Sequence, residues 1–338
     1  MGPGLAENDN KSVTYDHIGV IGAGAWGTAL AMVAAEAGRR VTLWARESGL
    51  AAEMAANREN KAYLPGAQLV SAITPTAELG AAAAADAVLL ASPAQYLRGV
   101  LESAAPLFRS GTPAVLCAKG IERGSGKLMT EVLGECAPAV EPAILSGPSF
   151  ADDVAKHLPT AITVAAARME TAETLQATLG CAQFRPYASD DLVGVALGGA
   201  AKNVYAIACG IVMGLGLGES ARAALLARGF AELCRLGAAL GARNETLMGL
   251  SGLGDLVLTA TGPASRNFRF GHAVGSGKPQ AEFGALAEGA YTAPALIMRA
   301  RRHGIELPIA EAVSEILEGT LTLKDAVPRL MMRPLKAE

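Results

Sequence analysis

The chain has 338 residues, of which 51% are apolar and 18% charged, with a formal net charge of −3. That length accommodates two cores, and that composition excludes a disordered chain. The slight negative balance argues against broad electrostatic binding of nucleic acid or an anionic membrane, while allowing a small anion held by local cations.

Residues 1–16 are polar and lack an apolar run. They read as a flexible tail, neither a signal peptide nor an anchor. Residues 17–21 then form a short apolar strand, followed by Gly22-Ala-Gly-Ala-Trp-Gly27 and a helix over 28–37 that stops at Gly38. Residues 40–45 form a second strand. Alanine-rich helical stretches then alternate with apolar strands at 87–91, 113–118 and 143–146, and strands at 161–165 and 184–187 extend the sheet. Strand and helix in alternation predict a Rossmann-like, doubly wound α/β domain over 17–189, with a parallel sheet covered on both faces.

From about residue 190 the strand signals stop, and long Ala/Leu/Gly segments with helical spacing follow, as at 221–240 and 292–302. Residues 190–338 therefore read as an all-α domain carrying substrate and catalysis. Ser189, Asp190 and the following aspartate offer an N-cap at the boundary. The apolar run 195–217 is long enough for a membrane span. Lys202, Asn203 and the glycines within it argue against one. Five widely spaced cysteines and four histidines show neither a disulfide framework nor metal-ligand spacing, which fits free thiols in a reducing cytoplasm.

The glycine motif follows a strand and opens a helix, the context that dinucleotide binding requires. Gly22 permits the turn, Gly24 admits a pyrophosphate to the backbone, and Gly27 lets helix and strand pack closely. The second strand ends at Ala45-Arg46-Glu47. An NAD-selective site usually has an acid at the strand end. Arg46 suits a 2′-phosphate or an adenine face, and Glu47 stands one position late, so NAD or NADP is expected. Lys119 follows the strand at 113–118 and should face the crevice at the carboxyl edge. Gly147 and Ser149, after the next strand, offer a backbone N–H and a hydroxyl to an anion. They also fit a plain Gly-Pro turn.

Lys202 sits in an apolar, glycine-rich stretch, with Gly198 and Gly199 one turn back. Buried there, its pKa falls toward the range useful for proton transfer. Alternatively it snorkels to solvent. Asp255 precedes an apolar run, either as a helix cap or as a partner for Lys202 or a substrate hydroxyl. Ser265-Arg266-Asn267 has the composition of a phosphate clamp, and equally of a polar loop at a helix start.

These segments together resemble the bacterial-type NAD(P)-dependent glycerol-3-phosphate dehydrogenase family. The resemblance rests on Gly22-Ala-Gly-Ala-Trp-Gly-Thr-Ala-Leu30, Ala118-Lys-Gly120, Ser146-Gly-Pro-Ser-Phe-Ala151, Leu197-Gly-Gly-Ala-Ala-Lys-Asn-Val204, Gly252-Leu-Gly-Asp-Leu-Val-Leu-Thr259, Ser265-Arg-Asn267 and Glu288-Gly289, all in the family's order. It implies that Lys202 is the acid/base, and that Lys119, Gly147, Ser149, Asp255, Ser265, Arg266 and Asn267 surround the substrate. Ala25, Trp26, Arg46, Lys119, Ala151, Arg266, Leu286 and Glu288 would contact the cofactor. Ser149 stands where many members have threonine, and Ala25 where many have serine.

The implied reaction is hydride transfer between NAD(P)H and dihydroxyacetone phosphate. Lys119 and Asp255 would assist Lys202, domain closure would assemble the site, and the product would supply phospholipid synthesis. A homodimer is compatible with the apolar helical half. Two other readings share the sequence features: a β-hydroxyacid or 6-phosphogluconate dehydrogenase relative, and a non-catalytic NAD(P) sensor. The second would be expected to lack part of the set Lys202, Asp255 and Arg266, all of which are present.

Overall fold

The computed structural model describes residues 13–278 and 287–331. The start of the expected tail (1–12) and Leu286 lie outside the described residues. In chain order the first part contains β1 (His17–Ile21), α1 (Ala25–Glu36), β2 (Arg40–Trp44), α2 (Ser48–Asn57), β3 (Ile73–Thr76), α3 (Leu79–Ala83), β4 (Ala87–Leu90), α4 (Leu97–Ala104), β5 (Pro113–Leu116), α5 (Met129–Cys136), β6 (Glu141–Ser146), α6 (Ala151–Ala155), β7 (Thr160–Ala166), α7 (Met169–Leu179) and β8 (Phe184–Ser189). Helices follow: α8 (Leu192–Gly214), α9 (Gly218–Ala239), α10 (Asn244–Met248), α11 (Asp255–Ala260), α12 (Arg266–Gly275), α13 (Glu288–Arg302), α14 (Pro308–Glu318) and α15 (Leu323–Met331).

The sheet order is β3-β2-β1-β4-β5-β6-β7-β8. This is the doubly wound arrangement expected, with one correction. β7 runs antiparallel to β6, and β8 follows β7. The link at residues 147–159 brings the chain back beside the carboxyl end of β6, where Ser146 pairs with Thr163 near the start of β7. The edge strand β3 is absent from the sequence reading, because Ile73-Thr-Pro-Thr76 carries a proline. An edge position tolerates it.

Side chains alternate across the strands. Ile18, Val20, Leu89, Val115 and Leu145 face α1 and α7 in one apolar cluster. Ile21, Val88, Leu90, Leu116 and Ile144 face the other way, and their cluster runs without a break into Val195, Leu197, Val204 and Ile207 of α8. The Asp191 carboxylate caps α8, accepting from Gly194 N at 2.8 Å, and its second oxygen accepts from Arg243 N at 2.8 Å.

Every residue of α8 from Gly194 to Val212 is buried. Among the described residues it is the one helix apolar and long enough to cross a membrane, and its place is the core. Gly210 of α8 faces the Phe268 carbonyl and Gly271 of α12 faces that of Ile207. A Cβ on either would lie 2.1–2.2 Å from the oxygen. The two helices thus meet backbone to backbone, which side chains would prevent.

Candidate active site

β5 and β6 end at the carboxyl edge, and the chain beyond each turns toward α8. Lys119, just past β5, directs its ammonium to the Gly147 carbonyl (2.9 Å) and to Asp255 Oδ2 (2.7 Å). Lys202, on α8, donates to Asp255 Oδ1 and to Thr259 Oγ1, the latter at 2.9 Å. Asp255 is fully buried, Lys202 is 6% exposed, and the Lys119 side chain is 16% exposed. One carboxylate is therefore shared by two ammonium groups, one enclosed and one reaching toward solvent.

Lys202 does not snorkel to the surface. Burial pushes its pKa down to about 7, against the pull of Asp255, and the positive charge of Lys119 pushes in the same direction as burial. The approach of α8 depends on Gly198 and Gly199. A Cβ on Gly199 would lie 2.5 Å from Ser146 Oγ, and one on Gly198 would lie 2.7 Å from the Ser251 carbonyl. Closure is not needed to unite the lysines, because Lys119 and Lys202 already share Asp255 across the two parts of the chain.

Gly147 contributes a carbonyl here, accepting from Lys119 and, at 3.1 Å, from Ser149 Oγ. Asp255 stands as the first residue of α11, so Thr259 lies one turn on, on the same helix face. Ser265 caps α12, its Oγ accepting from Phe268 N at 3.2 Å. Asn267 is buried. It donates to Asn203 Oδ1 and accepts from Gly289 N, both at 2.9 Å. Arg266, the first residue of α12, is exposed. Of the three residues expected to form a clamp, two side chains thus bond within the protein, and Arg266 is exposed.

The glycine turn has the geometry a dinucleotide needs. Gly22 takes φ +117°, and a Cβ on Gly27 would fall 1.9 Å from the Gly22 carbonyl. A Cβ on Gly24 would meet nothing within 4 Å. Gly24 precedes α1 without a side-chain cap, so no cap occupies the first-turn N–H groups, and a helix start of this kind stabilises an anion. Trp26 Nε1 is buried without a partner among the described residues. Ala25 opens α1 and Ala151 opens α6. Arg46 lies exposed just past β2, paired with Glu47.

Glu288 opens α13 and is wedged against Gly120, where a Cβ would come within 2.5 Å of its Oε1. Burial raises its pKa, opposed by Gln95 and Arg266.

Four residues to which the sequence reading gave no site role hold this arrangement. Asn60 donates to the Ala23 carbonyl and to Thr28 Oγ1, both at 2.8 Å, and so pins the glycine turn. Gln95 donates to the Ile121 carbonyl (2.9 Å) and to Glu288 Oε1 (3.3 Å). Asn203 donates to the Lys119 carbonyl at 3.1 Å. Thr259 holds Lys202. Only Asn203 and Thr259 left a signal: an amide inside an apolar helix requires partners, and Thr259 lies four residues after Asp255. A cavity of about 440 Å³ at the opposite, amino edge, lined by Tyr15, Arg109 and Arg168 among others, holds none of these residues.

The family model described as the NAD-dependent glycerol-3-phosphate dehydrogenase N-terminus matches residues 17–172, and the one for its C-terminus matches 191–328. The chain belongs to this family. A glycerol-3-phosphate dehydrogenase (NAD(P)+) from Bradyrhizobium sp. (strain ORS 278) is 59% identical over 324 residues, covering 96% of this chain and 98% of the relative. The enzyme of that name from Azorhizobium caulinodans is 58% identical, covering 96% and 99%. The crystal structure of glycerol-3-phosphate dehydrogenase from Coxiella burnetii superposes with a TM-score of 0.89 at 39% identity, covering 95% of this chain and 99% of that one. Family membership thus bears out the resemblance carried by the seven sequence segments.

Proposed function

We propose that the chain interconverts dihydroxyacetone phosphate and sn-glycerol 3-phosphate with NAD or NADP, with Lys202 as the proton donor and acceptor. The observation that carries this reading is the buried Lys202 ammonium, poised near 7 and held by Asp255 beside Lys119. The division at residue 189/190 into cofactor and substrate parts belongs to the same reading.

A bound NAD(P)H supplies the hydride. Lys202 gives its proton to the carbonyl oxygen as that oxygen gains charge, and takes it back in the oxidative direction. Lys119 places a second positive charge beside the developing alkoxide. Asp255 orients both ammonium groups and keeps Lys202 basic enough to be protonated near neutrality. Arg266 holds the remote phosphate at the start of α12, fixing the reacting carbon. The bonds made by Ser265 and Asn267 fix that helix end, so both support the clamp. Gly22, Gly24 and Gly27 leave the α1 terminus open to the cofactor's pyrophosphate.

The product is a precursor for glycerophospholipids. Five free cysteines suit a cytoplasmic setting. The partly buried Leu225 and Leu226, beside exposed Ala223, Ala224 and Ala227 on α9, support pairing of two copies. A sedimentation mass of one chain would remove that pairing.

The test of the activity is loss of reduced-cofactor absorbance with purified protein and dihydroxyacetone phosphate. Consumption is expected. Absence of consumption with both NADH and NADPH, each still binding, would overturn the reading.

A further inference from the structure

Arg46 and Glu47 lie where the adenosine end of a dinucleotide meets a Rossmann-like sheet. Gly22 N donates to the Trp44 carbonyl at 3.1 Å, which ties the end of β2 to the phosphate-binding turn. Arg46 follows two residues later. Its guanidinium gives two hydrogen bonds to one oxygen, Glu47 Oε1, from Nε at 3.1 Å and Nη2 at 2.9 Å. Glu47 is the residue before α2, yet its side chain makes no capping bond to that helix. Its carboxylate turns to Arg46 instead. Both side chains are open to solvent, 74% and 54% exposed.

A cation at this point attracts an adenosine 2′-phosphate. An acid at this point accepts from a 2′-hydroxyl and repels the phosphate. This chain carries both, already bonded to each other.

We propose that Glu47 sets the balance between NADP and NAD by competing with the adenosine 2′-phosphate for the Arg46 guanidinium. The inference rests on the reading that Arg46 faces the cofactor. With NAD the ion pair persists, and the second Glu47 oxygen accepts from the ribose 2′-hydroxyl. With NADP the guanidinium leaves Glu47 for the phosphate, and the carboxylate is left beside an anion. The pair thereby lets one strand end accept both cofactors and penalises the phosphorylated one. No bond to the reacting centre is involved, so the effect falls on binding.

The test uses the full chain and two probes that differ only at the 2′ position, 5′-ADP and 2′,5′-ADP, with dissociation constants from titration calorimetry. Glu47→Gln should tighten 2′,5′-ADP relative to 5′-ADP by about fivefold, the scale of an exposed ion pair. Added salt should shrink that gain. Arg46→Ala should weaken 2′,5′-ADP and spare 5′-ADP. The ratio of kcat/KM for NADPH over NADH should follow both shifts. If Arg46→Ala leaves 2′,5′-ADP unaffected, the placement of Arg46 fails and the proposal with it. If Arg46→Ala weakens 2′,5′-ADP but Glu47→Gln leaves the ratio unchanged, Arg46 keeps its place and the role of Glu47 is overturned. Both residues are exposed, so neither variant threatens folding, which circular dichroism checks.

Discussion

The two ends of the site handle charge in opposite ways. At the glycine turn the attraction for an anion comes from backbone N–H groups at an uncapped helix start, with open space at Gly24. At the lysine centre it comes from ionised side chains packed inside the protein, two ammonium groups on one carboxylate. The first arrangement depends on shape, because an added methyl group blocks it. The second depends on charge balance, because removing any member leaves the others mispaired in a poorly solvated site. The rigid, permanent charge of a cofactor suits the first. A proton that must come and go suits the second.

Substitutions can break this contrast. The largest effect is expected for Lys202→Met, which removes the proposed proton donor but keeps the volume. Turnover should fall by at least about a thousandfold, with cofactor binding retained. Turnover near that of the parent would remove Lys202 from the chemistry. Asp255→Asn comes next. It leaves two ammonium groups without a carboxylate and should cost about 3 kcal/mol or more of stability in denaturant titration. It should also move the Lys202 titration below its present value of about 7, since Asp255 pulls it upward. A pH–rate profile unchanged from the parent would show that the carboxylate does not tune the lysine.

Gly27→Ala attacks the other end. A Cβ 1.9 Å from the Gly22 carbonyl forces the turn apart, and cofactor affinity should drop by about tenfold or more, with the lysine titration unaltered. Normal affinity would mean the turn yields at little cost.

The pH dependence sharpens the comparison further. With Lys202 in the proposed acid/base role, reduction should decline above about 7, whereas oxidation should climb through about 7. The same lysine affects stability. Its folded pKa lies below the ordinary 10.5, so between those values the unfolded chain binds the extra proton and stability rises with pH. Glu232 acts in the opposite sense. It is buried in α9, accepts from Ile309 N at 2.8 Å, and is raised by burial from 4.5 to about 7. The folded chain therefore holds the extra proton in that window, and stability falls as pH rises through it. Glu232→Gln should remove that fall, the smallest of the four effects. Persistence of the slope in thermal melts would assign it elsewhere.

Much of this was legible in the residues, for a physical reason. The glycine turn is a local device, readable from a strand, three glycines and a helix in succession. Lys202 stood out because a charge in an apolar helix requires a partner, and Asp255 was the acid poised before an apolar run. The direction of β7 was hidden, because the apolar pattern of a strand reads the same for a parallel and an antiparallel neighbour. Asn60 and Gln95 were hidden because each acts on groups far away in sequence, and an amide carries no mark of its distant partner. The outward stance of Arg266, with Ser265 and Asn267 bonded inward, likewise depends on how α12 meets α8 and α13.

The apolar cluster that passes from the sheet into α8 bears on how such a chain can be taken apart. A cut near residue 190 would strip Leu90, Leu116 and Ile144 of their covering and leave Val195, Leu197 and Val204 facing water. Neither fragment would be a finished object. Recombining the front of one relative with the back of another would require both faces of that seam to be exchanged together. The chain has two territories but only one fabric.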